Sequence, residues 1–142
     1  MPFEINRASV WAGELQDHPG ALAEALGGLQ RAGVNLEFVI LRPTAPMSHL
    51  GVLFVAPIAG TAQERAATEA GLRKAESIHA LRLVGPDHPG LVADLSRAFA
   101  SAGLNIAGLS AASLAGQAVI YVRFECAADA DRAAQLVIGL PG

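Results

Sequence analysis

The sequence Asp-His-Pro-Gly occurs at residues 17–20 and again at residues 87–90, 70 residues apart, and each copy is followed 18 residues later by an asparagine, Asn35 or Asn105. A period of about half the 142-residue chain means that one small supersecondary unit is written twice, so whatever the loop does is done in duplicate. The expected organisation is two modules, residues 1–74 and 75–142. A unit near 70 residues is marginal for an independent core. The two are therefore expected to share a core or an interface.

Composition supports that expectation. Hydrophobic residues make up 52% of the chain and charged residues 16%, against roughly 25% charged in an ordinary soluble domain. Apolar surface should be buried between modules and between chains, with a homodimer as the default closed assembly. A net charge of −3 and the lack of a Lys/Arg cluster argue against a dedicated nucleic-acid surface, which needs a basic stripe to displace counterions. Glu4, Asn6 and Arg7 interrupt the apolar stretch that a secretion signal requires, and no run of about 18 apolar residues follows. A soluble, cytoplasmic protein without membrane partners is expected. Cys126 is the only cysteine, so no intrachain disulfide can form. Its place in the apolar run Val119 to Cys126 reads as a small buried side chain.

Each loop opens a helix. Asp17 and Asp87 are of the type that accepts from free amides at a helix start, and proline follows where a first-turn amide has no partner anyway. Leu22, Leu26 and Leu29 then recur at helical spacing, as do Val92, Leu95 and Phe99. Gly33 and Gly103 stand where a left-handed residue stops a helix, each with an apolar residue directly after it. Asn35 leads into a strand from Leu36 to Leu41, a turn over Arg42 to Ser48 and a second strand from Leu50 to Val55. Asn105 leads into a weaker strand from Ile106 to Ala111, a turn at Gly116 and a strong strand from Ala118 to Glu125. A second helix follows in each half. One opens at Thr61, with Glu64 at capping-box spacing and Arg65, Glu69 and Arg73 four apart on one face; the other opens at Asp129 and reaches about Val137.

The order strand, helix, strand, strand, helix needs one more strand to become a ferredoxin-like split βαβ. Ile138 to Gly142 contain Gly139, Pro141 and Gly142, too little for the second module to supply its own. The stretches Phe3 to Leu15 and Ala75 to Gly85 are each longer than one short strand and occupy equivalent places in the repeat. Each is expected to serve twice, the strand at 75–85 being shared and residues 3–7 closing the second module.

A Pro-Gly at a helix start leaves backbone amides pointing outward, and glycine lets a ligand approach the main chain. That suits a carboxylate. A neighbouring aspartate suits an ammonium group, and an asparagine offers both donor and acceptor. Together they match the zwitterionic part of an amino acid. The competing structural explanation is that an Asp-to-Gly turn and a helix-stopping glycine are ordinary caps. The duplicated asparagine at the same offset is what a cap does not require.

The segments DHPGALAEALGGLQRAGVNLEF and DHPGLVADLSRAFASAGLNIAGLS resemble the most characteristic stretch of ACT domains, small βαββαβ regulatory modules. The whole chain is similar to free-standing proteins made of two ACT domains. The resemblance implies an α+β fold of two ferredoxin-like modules, each an antiparallel sheet with helices on one face. It also implies a small effector, usually an amino acid, bound between paired modules by the loop of one and the early second strand of its neighbour. Carried onto this chain, it assigns Asp17, Gly20 and Asn35 to one site and Asp87, Gly90 and Asn105 to the other. His18, Pro19, His88 and Pro89 shape the loops, and Leu36 and Ile106 stand beside the asparagines, where core packing competes with a ligand role. Around the first loop stand Gln16 and a following strand with Phe38; around the second stand Pro86 and the small residues Ala107 and Gly108.

Three functions compete. An amino-acid sensor needs a ligand that favours one arrangement of modules over another. A protein–protein regulatory module with vestigial sites, similar to the glycine cleavage system transcriptional repressor, needs no ligand. An enzyme is disfavoured: neither loop carries the arginine of a phosphate-binding site, and no nucleophile accompanies Asp17 and His18. No metal or other cofactor is expected, because no helical His pair or Cys/His cluster is present. His49 and His79 have no suggestive neighbours.

Overall fold

The computed structural model describes residues 2–45 and 49–140. In chain order the elements are β1 (Glu4–Ala8), β2 (Trp11–Gln16), α1 (Ala21–Arg31), β3 (Phe38–Pro43), β4 (Leu50–Ala56), α2 (Thr61–Glu69), β5 (Arg73–Lys74), β6 (His79–Pro86), α3 (Leu91–Ser101), β7 (Ile106–Leu114), β8 (Gln117–Phe124) and α4 (Ala127–Gly139). They form two compact units, one of residues 9–75 and one of residues 1–8 with 76–142. Each is a four-stranded antiparallel sheet with two helices, the sheet orders being β3-β4-β2-β5 and β1-β6-β8-β7. Both are ferredoxin-like and the class is α+β. Among the described residues no helix is long and apolar enough to cross a membrane.

Alternation builds each core. In the second module Leu81 and Leu83 of β6 and Ile120, Val122 and Phe124 of β8 turn to one face, and Leu91, Leu95 and Phe99 of α3 cover them. Phe99 meets Phe124 edge to face with ring centroids 5.2 Å apart, a favoured aromatic geometry. The first module buries Trp11, Leu29, Leu53, Val55, Ile58 and Leu72 around Ala25 and Ala67. At the helix positions facing the sheet, Ala21, Ala25 and Leu29 therefore stand where the second module has Leu91, Leu95 and Phe99. Each of the larger side chains contributes about 1.5–3 kcal/mol when fully buried, so the second core is the better filled.

Both first helices stop in a Schellman motif. Gly33 (φ 79) and Gly103 (φ 76) take the left-handed conformation; the amide of Val34 donates to Leu29 and that of Leu104 to Phe99, satisfying carbonyls the helix end would orphan.

The edge strands differ. β1 pairs with β6 over five residues, from Glu4 opposite Val84 to Ala8 opposite Ala80. The first sheet is closed only by Arg73 and Lys74, opposite Ala12 and Trp11, ahead of the stretch from residue 75 that the sequence points to. The chain leaving α2 explains this: a Cβ on Gly13 would lie 2.4 Å from the Gly71 carbonyl oxygen, and buried Leu72 anchors the crossing, so two ladder residues are all that remain. β2 is left without a partner on that side from Gly13 to Gln16.

Other expectations are corrected. The helix N-caps are Gly20, Gly60, Gly90 and Cys126, and none of the four helices has a side-chain cap bond. Asp17 and Asp87 lie three residues ahead of their caps, and Thr61 is already the first helical residue, so its capping box does not form. α4 starts at Ala127, ahead of Asp129. β7 runs on to Leu114 rather than Ala111, because the two-residue turn Ala115-Gly116 continues its ladder to Gln117. The first-half turn over Arg42 to Ser48 falls partly on residues 46–48, outside the described residues. Cys126 is exposed: it lies two residues past the end of β8, where the alternation that buries Val122 and Phe124 no longer applies.

Candidate functional site

The two Asp-His-Pro-Gly loops are built alike. Each hangs from the tip of the hairpin in its own sheet, the Asp17 amide donating to the His49 carbonyl (2.7 Å) and the Asp87 amide to that of Gly116 (2.9 Å). The imidazole folds back on the loop, Nδ1 donating to Pro19 O at 3.0 Å in one copy and to Pro89 O at 2.9 Å in the other. Gly20 (φ 90) and Gly90 (φ 82) then turn the chain into the helix in a conformation other side chains rarely adopt.

The turn leaves a defined set of donors. Ala21 donates to His18 and Glu24 to Gly20, as Leu91 does to His88 and Asp94 to Gly90. The amides of Leu22 and Ala23, and of Val92 and Ala93, have no protein acceptor among the described residues. Two adjacent donors at the positive end of a helix form an anion site. The carboxylates of Asp17 and Asp87, at the opening of the same turns, are exposed and make no side-chain hydrogen bond among the described residues. Donors for a carboxylate and an acceptor for an ammonium group thus belong to one surface loop in each module.

The asparagines lie elsewhere. Asn35 and Asn105 follow the helices whose starts carry the loops, and an 11-residue helix spans about 16 Å. Bonding confirms the opposite ends: Asp17 sits at the β3–β4 hairpin, whereas Glu37, two residues past Asn35, bonds Ala56 at the foot of β4. The structure therefore does not bring Asp17 to Asn35, nor Asp87 to Asn105, within one module. Leu36 and Ile106 are half-buried and pack on the two cores.

The asparagine side chains also differ. Asn105 Nδ2 donates to Glu125 Oε1 at 2.9 Å, while the Asn35 side chain has no hydrogen-bond partner among the described residues. The register gave the signal for Glu125: Ile106 faces Phe124, so the next residues beyond the two strands are Asn105 and Glu125.

A cavity of about 580 Å³ lies within the first module, between β2, α1 and α2. It is lined by the small residues Ala21, Ala25, Gly28, Ala66 and Ala70 together with Glu14, Gln16, His18, Glu24, Arg31 and Glu69. It exists where the first module has alanine at the positions of Leu91 and Leu95 and where β2 lacks a strand partner. Among the described residues no group of three or more His, Cys, Asp or Glu side chains is placed to hold a metal ion.

The ACT domain family model matches residues 79–137, which lie in the second module. No curated protein matches the chain by sequence. Solved structures with the same fold include a protein from Bacteroides thetaiotaomicron (TM-score 0.78, 15% identity, 92% of this chain and 88% of that one) and the ligand-free regulatory subunit of aspartate kinase from Thermus thermophilus (TM-score 0.64, 19% identity, 96% and 94%). E. coli aspartokinase III in complex with lysine and aspartate matches at TM-score 0.56 and 14% identity, over 100% of this chain and 33% of that one. Residues 79–137 of the second module thus match the ACT domain, and the first module repeats the fold, the loop and the helix stop of the second.

Proposed function

We propose that the protein is an amino-acid-binding regulatory protein whose effector sites each take the loop of one module and the asparagine of another. The observation that carries this reading is the duplicated loop, with two acceptor-free helix amides and an unpaired aspartate. The amides would receive the α-carboxylate and Asp17 or Asp87 the ammonium group. Because a helix of about 16 Å separates each loop from its own asparagine, a complete site draws its asparagine from a second module. The half-exposed Val39, Leu41 and Leu109 on edge strands β3 and β7 favour burial in a homodimer.

The role is regulatory rather than catalytic: bound ligand favours one arrangement of modules, and a protein partner reads the change. The regulatory subunits of aspartate kinase among the solved relatives support that role. The test is thermal unfolding in the presence of each common L-amino acid, for the wild type and for Asp17→Ala and Asp87→Ala. An effector raises the midpoint by mass action, and at least one substitution removes the rise. A midpoint unmoved by every amino acid points instead to a protein–protein module with vestigial sites.

A further inference from the structure

The two asparagines are chemically unlike, and the difference decides which effector site is usable. We propose that Glu125 occupies Asn105 as an internal competitor, so that only the site containing Asn35 binds amino acid; the inference rests on the effector reading above.

Asn105 Nδ2 is 2.9 Å from Glu125 Oε1, a charge-assisted bond and so stronger than one between neutral groups. The fold builds it in. Ile106 closes the β7 ladder against Phe124, and Asn105 and Glu125 are the next residues beyond the two strands. Arg123, two residues earlier, makes no ion pair among the described residues, and its stem lies across Gly108, where an added Cβ would come within 2.7 Å of Cδ. An incoming ligand would have to break the Asn105–Glu125 bond and place its α-carboxylate beside a second negative charge.

In the first module no carboxylate bonds the asparagine side chain among the described residues. Past the end of β4 the chain carries Pro57, Ile58 and Ala59, none with a polar side chain. Ile58 is buried in the core, and the nearby polar residue, Gln63, is engaged with the Ala59 amide and the Gly33 carbonyl. Asn35 is therefore held at the surface with both its donor and its acceptor unused. Around Asn35 stand half-buried Leu36 and Phe38 with exposed Glu37 between them, and around Asn105 stand Glu125 and Arg123.

Isothermal titration of the full chain tests this, with each of the twenty common L-amino acids as titrant and Asn35→Ala, Asn35→Ser, Asn105→Ala and Glu125→Ala as variants. The wild type should bind one molecule per chain. Either substitution of Asn35 should weaken binding by about tenfold or more, the loss expected for a hydrogen bond to a charged group. Asn105→Ala should leave affinity within about twofold, and Glu125→Ala should raise the stoichiometry to two per chain. Loss on Asn105→Ala with retention on Asn35→Ala overturns the proposal, as does an unchanged stoichiometry in Glu125→Ala. Absence of binding in every form removes the effector reading itself, and is thereby distinguished from a wrong choice of site.

Discussion

Arg7 in β1 donates to Asp131 in α4 at 2.7 Å, joining residues 124 apart in sequence. The ion pair is a surface one, its side chains 44% and 73% exposed, and such pairs contribute about 0–1 kcal/mol. What holds the N-terminal strand is its five-residue ladder and Phe3, whose ring lies against Gly85, so close that an added Cβ would meet it at 2.5 Å. Arg7→Ala should therefore cost less than about 1 kcal/mol and Gly85→Val about 1–3 kcal/mol through overpacking, both measured by urea unfolding. The reverse order would mean that the charge pair, and not the packed strand, secures β1.

The turn joining β7 and β8 carries a correctable strain. Ala115 has φ 53 and Gly116 φ 78, the paired left-handed geometry of a two-residue type I′ turn, for which Asn-Gly is the favoured sequence. Ala115→Asn should stabilise the protein by about 0.5–1 kcal/mol, a part of the cost of holding an ordinary residue there. A rise in thermal midpoint checks it. Because Gly116 also accepts from the Asp87 amide, the variant should slow amide exchange at Asp87 as well.

Unequal filling of the two cores makes opposite predictions for equivalent positions. Leu91 and Leu95 are 2% and 1% exposed, and truncating either to alanine should cost about 2–5 kcal/mol. Ala21, the counterpart of Leu91, opens onto the 580 Å³ cavity, so Ala21→Leu should be neutral or stabilising by up to about 1 kcal/mol. Urea unfolding gives both values. A destabilisation by Ala21→Leu of more than about 1 kcal/mol would show that the space is not available to a side chain.

Much of this architecture was legible before the structure, for reasons that can be named. The α+β class followed from the repeat together with the helical spacing of Leu22, Leu26 and Leu29. Gly33 and Gly103 marked the helix ends because only a left-handed residue lets Val34 and Leu104 close back on the last turn. What was hidden depends on through-space geometry. Spacing along the chain cannot show that α1 carries Asn35 to the far end from Asp17, nor that Glu125 meets Asn105, 20 residues away. Caps were misread because Pro-Gly moves the helix start beyond the reach of Asp17. Cys126 was misplaced because hydropathy does not mark where β8 stops. The cavity had a faint signal in the alanines opposite Leu91 and Leu95, visible only when the two repeats are laid side by side.

The central claim is that an amino-acid carboxylate is received by the free amides at a helix start. The most direct measurement is the ¹H–¹⁵N amide spectrum of the full chain, recorded before and after addition of whichever L-amino acid most raises the thermal midpoint. The account predicts that the largest shifts fall on Leu22 and Ala23 or on Val92 and Ala93, at one loop and not both, accompanied by the side-chain amide of Asn35. Shifts confined to the cavity residues Ala25, Gly28 and Ala66, with the loop amides unmoved, would contradict it.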